Sequence, residues 1–219
     1  MTDEINWVWE IAKIFISFGI GLLVRKKVGR ALVKAKKWLL NDIQTVDILA
    51  VREYPDVEVN EIEASVFDDI KNKIPSAQFM QTYPNGLMIN LPIFGNLIAE
   101  IEHPIDEENY EHKVVKLILK TESSVRLTIR ELKKIRQIEK YADNIFDSIE
   151  KKAFKQPVSF TKSYAVCDIS RSSTLAEVKT FKKQDVELNA TIDGTEDQLT
   201  IRVSHIDNLT DATEKYHLA

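Results

Sequence analysis

Cysteine is almost missing from this sequence. Cys167 stands alone among 219 residues, so no disulfide framework closes within the chain and no cysteine-based zinc site can be assembled. Six glycines and six prolines exclude collagen-like and low-complexity classes. The chain has no G-x-x-x-x-G-K-[ST], no G-x-G-x-x-G, no H-E-x-x-H and no G-x-S-x-G, which removes the phosphate loop, the dinucleotide fingerprint, the zincin helix and the nucleophile elbow. Gly19 and Gly21 lie inside an apolar run and do not form a phosphate cradle. No cofactor is therefore expected, and an enzyme built from this chain would work without a recognisable motif.

What is present is apolar mass and unevenly placed charge. With 44% hydrophobic and 29% charged residues the chain can bury a core, which excludes intrinsic disorder. The net charge of −4 hides a split. Residues 1–37 hold eight basic side chains (Lys13, Arg25, Lys26, Lys27, Arg30, Lys34, Lys36 and Lys37) against three acidic ones (Asp3, Glu4 and Glu10). The remainder is acidic.

Residues 5–24, INWVWEIAKIFISFGIGLLV, are the most apolar part of the chain. As a helix rising ~1.5 Å per residue they reach roughly 30 Å, the thickness of a bilayer's hydrocarbon core. Glu10 and Lys13 interrupt the run, each at a cost of ~2.5–3.5 kcal/mol at a span's centre. Both fall in its first half, where long side chains reach the interface, and they are three apart, so they can pair. Basic residues follow the run at once and only Asp3 and Glu4 precede it, so the positive-inside rule predicts a single span with the N-terminus out and a cytoplasmic C-terminal domain. Trp7 and Trp9 mark one end and Trp38 lies beyond the other, as expected for side chains that favour the membrane–water interface. A signal peptide would carry its positive charge before the apolar stretch. A buried core helix and a helix lying in the interface are the remaining alternatives.

Past the span, Val28, Leu32, Ala35 and Leu39 recur at helical spacing while Arg25, Lys26, Lys27, Arg30, Lys34, Lys36 and Lys37 supply the charge. This predicts an amphipathic juxtamembrane helix on anionic lipid. Nucleic acid is not an expected partner, because no aromatic-interleaved groove accompanies these charges. Within the span Asn6, Glu10, Lys13, Ser17 and Gly21 are spaced four, three, four and four, along one helix face. Small and polar residues aligned in lipid suit self-association, so a homo-oligomer through this helix is expected.

From residue 44 the pattern predicts an α+β fold: a cytosolic, mainly antiparallel sheet with two helices and a C-terminal β-meander. Alternation assigns strands to 44–53, 77–83, 87–91, 97–102 and 113–122, with a hairpin at Asn85-Gly86. Ile62, Val66, Ile70 and Ile74 define one helix, stopped by Pro75. Ile129, Leu132, Ile135, Ile138, Ala142, Ile145 and Ile149 define a longer one, with Thr128 and Glu131 fitting a capping box. Four strands, 157–169, 174–181, 185–193 and 198–206, complete the meander, with a turn beginning at Asp193-Gly194. Residues 207–219 show no period and are expected to form a loose tail. The organisation expected is 1–43 as span and basic helix, 44–155 as an α+β domain, and 156–219 as a β-rich region that can also share one sheet with it.

The soluble part offers few sites. His103 and His112 flank an acidic loop containing Asp106, Glu107, Glu108 and Glu111, without diagnostic metal spacing, and no metal is expected. His205 and His217 are dispersed. Cys167 reads as a small buried hydrophobe. Asp143 and Asp147 are four apart on the long helix, as paired carboxylates are, and read as part of a solvated face. Asn189-Ala190-Thr191 and Asn208-Leu209-Thr210 match glycosylation acceptors, irrelevant in the cytosol. The expected function is a membrane-anchored binding or sensing protein. Its soluble domain recognises a partner protein or ligand and, in the sharpest form, releases a bilayer-perturbing oligomer. The alternative is a soluble interaction module whose N-terminal helix fills a partner's or dimer's core.

Overall fold

The computed structural model describes residues 43–55, 57–103, 114–128, 131–170, 180–195 and 198–217. The expected span, basic helix and polar stripe of residues 1–42 lie outside the described residues, as does the acidic loop from 104 to 113.

Ten strands and three helices follow: β1 Ile43–Pro55, α1 Ala64–Lys73, β2 Gln78–Tyr83, β3 Gly86–Leu91, β4 Gly95–Glu102, β5 Val114–Thr121, β6 Val125–Thr128, α2 Ile135–Ala153, β7 Lys162–Ser170, β8 Phe181–Asp185, β9 Ala190–Gly194, β10 Gln198–Val203 and α3 Leu209–His217. The expected mainly antiparallel α+β architecture is present, with three helices instead of two. All strands join one antiparallel sheet in the order β2-β3-β4-β5-β1-β7-β10-β9-β8, with β6 paired to β1 beside β5. The first strand is thus the middle one. It pairs on one side with β5 and β6 and on the other with β7.

Strand alternation explains the core. One row runs across seven strands as Leu87, Ala99, Leu119, Ala50, Ala165, Val203 and Ala190, and every member is buried. The next row on that face holds Ile48, Cys167, Ile201 and Ile192. Alanines at the middle of the sheet leave room for helices above it. Ile135, Ile138, Ala142, Ile145 and Ile149 of α2 are buried, as their three-and-four spacing requires. Cys167 is fully buried, and burial pushes its thiol well above the ordinary value. It is a small core side chain, as expected.

The Thr128–Glu131 pair forms in part: the Glu131 carboxylate accepts the Thr128 backbone N–H at 3.1 Å and its hydroxyl at 3.0 Å. It begins a 3-10 turn at Glu131–Lys134 ahead of α2. The β2–β3 turn is Pro84-Asn85 rather than Asn85-Gly86, since Tyr83 pairs with Gly86. Gly86 is needed for another reason: a Cβ there would meet the Ala99 carbonyl oxygen at 2.8 Å.

Three expectations are corrected. First, the C-terminal strands are not a four-strand meander: β8, β9 and β10 pair consecutively, but β10 returns beside β7. Second, 185–193 is not one strand. The Asp185 carboxylate accepts the backbone N–H groups of Glu187 and Leu188 at 3.1 and 3.3 Å, and Asn189 turns at φ 45°, so the chain reverses between β8 and β9. Third, 209–217 is a helix. Leu209, Ala212, Thr210 and Thr213 are buried, and the Thr210 N–H donates to the Glu139 carboxylate of α2 at 2.6 Å. This cap from a neighbouring helix satisfies an otherwise orphaned donor.

Asp185 also fastens α3 to the sheet, accepting from the Tyr216 hydroxyl and from Lys215 Nζ at 2.6 Å. The Lys215 ammonium, then the Tyr216 hydroxyl, hold its carboxyl well below the usual range. A depressed folded-state pKa contributes stability that is complete above the unfolded value of about 3.9 and is lost as pH falls through the folded one. Asp185→Asn is therefore expected to lower the melting temperature at pH 7 and to flatten the decline between pH 4 and pH 2, as thermal melts across that range would show.

Candidate functional site

Three helices occupy one face of the sheet. On the other face, alternation places Leu49, Val166, Arg202 and Thr191 in a single row across β1, β7, β10 and β9, with Val51 and Tyr164 paired beside it. An open groove of about 750 Å³ lies here, lined by these rows except Val51 and, at its ends, by Phe160–Ser163 and Val203–His205 together with Asn189. That volume is in the range of small-molecule sites.

The lining is electrostatically one-sided. It includes Lys162, Arg202 and His205 and no carboxylate. Arg202 and His205 are exposed and form no ion pair among the described residues. Lys162 lies 5.4 Å from the centre of the Tyr164 ring and forms a 4.0 Å ion pair with Glu53 at the groove's end, a long contact that leaves its ammonium largely open to solvent. Ser163, Ser204, Thr191 and Asn189 add hydrogen-bonding groups. Guanidinium and ammonium donors above a floor of Leu49 and Val166 suit a ligand with a negative group and an apolar body. The lining thus offers cationic and hydrogen-bonding side chains over an apolar floor.

On the helix face a second polar cluster centres on Arg52. Alternation along β1 turns Val46, Ile48, Ala50, Arg52 and Tyr54 inward, and α2 answers with three carboxylates on one of its faces. Arg52 Nη2 donates to Asp143 at 2.6 Å, and Nη1 to Asp147 at 3.0 Å and Glu150 at 2.7 Å. The guanidinium also lies 5.1 Å and 4.9 Å from the ring centres of Phe146 and Phe160. The Tyr54 hydroxyl donates to Glu150, and its ring meets Phe154 edge-on at 4.8 Å. Burial opposes the arginine's charge, but the bonds to Asp147 and Glu150 outweigh it and raise its pKa further. Burial, then the Glu150 carboxylate, drive the Tyr54 phenol far upward. Burial also raises Asp143 despite Arg52. The cluster's donors and acceptors are spent on each other, and it joins helix to sheet.

Asp143 and Asp147 are therefore not a merely solvated face: the structure brings them together with Glu150 on one arginine. A smaller open groove of about 570 Å³ adjoins them, lined by Asp147, Glu150, Lys151 and residues 154–159. Among the described residues no group of three His, Cys, Asp or Glu side chains is placed to hold a metal; His103 is exposed at the end of β4. The lipid-contact residues (Arg25, Lys26, Lys27, Arg30, Lys34, Lys36, Lys37), the interfacial Trp7, Trp9 and Trp38, and the stripe Asn6, Glu10, Lys13, Ser17 and Gly21 lie outside the described residues. Sequence reasoning missed Arg52, Tyr54 and Glu150. The available signal was an arginine on the inward phase of an apolar strand. It also missed the groove, whose cations come from distant segments.

No known protein family matches this chain, and no curated protein resembles it in sequence. Among the described residues no helix is long and apolar enough to cross a membrane. The described residues form a two-layer α+β unit that begins at Ile43.

Proposed function

We propose that this protein is a single-pass, membrane-anchored binding or sensing protein. Residues 5–24 form the anchor with the N-terminus outside, residues 25–37 lie on anionic headgroups, and the α+β domain faces the cytoplasm. The domain takes a ligand or a partner's side chain with a negative group in the groove beneath Arg202. The observation that carries the reading is the arrangement of charge and tryptophan about residues 5–24, with cations on one flank only. The groove on the sheet face opposite the three described helices supports the binding part. Binding drives association through Asn6, Glu10, Lys13, Ser17 and Gly21, and the associated helices perturb the bilayer.

Removing residues 1–40 tests this. The full chain is expected to stay in the membrane pellet through an alkaline carbonate wash, and the shortened chain to move wholly to the supernatant. Release of the full chain by carbonate would favour the soluble module with a helix buried in a partner. Dye release from anionic liposomes tests the bilayer step: release by no oligomeric form would leave the anchor alone.

A further inference from the structure

We infer that the free edge of β2 pairs antiparallel with β2 of a second copy, closing a two-fold dimer whose sheet runs through both domains. From Ile74 to Ala99 the chain has no Asp, Glu, Lys, Arg or His, although 29% of its residues are charged. That run contains β2, β3 and the turns around them. Among the described residues β2 has one strand neighbour, β3, and every residue of β2 is exposed. Of the eight large apolar side chains exposed in the described residues, four, Phe79 (41%), Met80 (51%), Tyr83 (36%) and Ile93 (39%), belong to this run. The strand is held in place: the Phe79 ring lies 5.2 Å from that of Phe67 on α1.

Natural sheet edges are normally guarded by charge, proline or brevity. The opposite end of this sheet obeys that rule, since β8 carries the exposed Lys182 and Lys183. β2 carries neither charge nor proline, and its bulge is the one irregularity along its edge. The occupant follows from the charge pattern. Two-fold pairing sets a strand against itself, with facing Cβ atoms about 5 Å apart, so any charge near the axis would face its own copy. Neutrality at that axis is what self-pairing requires, and β2 is neutral along its whole length. The guarded β8 edge cannot repeat the contact, so the assembly stops at two copies rather than growing into a fibre. The bulge between Phe79 and Gln81 limits the register available to the pair.

The test uses the full chain in detergent micelles and reads disulfide cross-linking on mild oxidation; the buried Cys167 stays silent. Met80→Cys is expected to cross-link at least tenfold faster than Val186→Cys, which puts a cysteine at an 82% exposed position beside the guarded edge. Adding Gln78→Lys and Thr82→Lys together to Met80→Cys, which sets like charges opposite each other when position 80 lies on the axis, should cut cross-linking about tenfold, and Gln78→Glu with Thr82→Lys should restore it. Gln81→Lys serves where the like-charged form fails to give the parent's circular-dichroism melt. Equal rates at positions 80 and 186, or cross-linking indifferent to the added charge, would overturn the dimer. Positions 80 and 186 share whatever association residues 1–42 bring, so the difference between them reads the β2 edge and not the anchor.

Discussion

Arg52→Met is expected to cost about 3–5 kcal/mol of folding stability at neutral pH, the range for removing one partner of a buried ion pair. Among the described residues the arginine is the only cation paired with Asp143, Asp147 and Glu150. Its side chain is 10% exposed, while those of Asp143 and Asp147 are 40% and 54% exposed; water screens the orphaned acids, so the lower half of the range is expected. The variant should also respond to pH in a definite sense. Without the guanidinium, the burial that already raises the Asp143 carboxyl acts without its chief opposition. A raised carboxyl destabilises the fold as pH rises through its folded value, so the cost should shrink as pH falls from 7 towards 5. Neutralising the acids together (Asp143→Asn, Asp147→Asn, Glu150→Gln) in the Arg52→Met background should recover much of the loss. Urea denaturation at pH 7 and pH 5 measures all of this. A loss below about 1 kcal/mol at pH 7 would mean the cluster is no more than a surface ion pair.

Phe146→Ala should cost a similar amount, about 3–5 kcal/mol, by leaving a cavity between α2 and the sheet. Phe146 is 2% exposed, and its ring also faces the Arg52 guanidinium. Phe146→Leu separates the two contributions. It keeps most of the apolar contact and loses the ring's attraction for the cation, so its smaller cost should approach the ~0.5–2 kcal/mol of a cation–π contact. In the Arg52→Met background that part should vanish, while the cavity cost of Phe146→Ala remains. Equal losses for Phe146→Leu in both backgrounds would show that the ring and the guanidinium do not interact.

Much of the fold was legible from periodicity, and what escaped did so for physical reasons. β1, β4, β5 and α2 show their periods cleanly because each buries one face. β6 escaped because Val125–Thr128 is too short to show a period beside Ser123 and Ser124. α3 escaped because it buries Thr210 and Thr213 along with Leu209 and Ala212: Thr213 gives its hydroxyl to the Leu209 carbonyl at 2.7 Å, so a polar side chain does the work of an apolar one and hydropathy does not register it. The Val186–Asn189 turn lacks both glycine and proline, and Asp185 and Asn189 make it with a side chain and a left-handed backbone instead. At the sites the same limit applies. Asp143 and Asp147 were visible as a spaced pair, but their partner arrives from a strand far away in the chain. The groove's Lys162, Arg202 and His205 are neighbours only once β10 has returned beside β7.

The central position of β1 has a consequence for how the domain is made. Val46 must meet Ile169 and Glu53 must meet Lys162, so the first strand synthesised waits for one that leaves the ribosome more than a hundred residues later. Such long closures slow folding. Until then the nascent chain presents a neutral hairpin and a half-finished ribbon, which suits a polypeptide whose synthesis is slowed, or whose early strands are shielded, while its second half emerges.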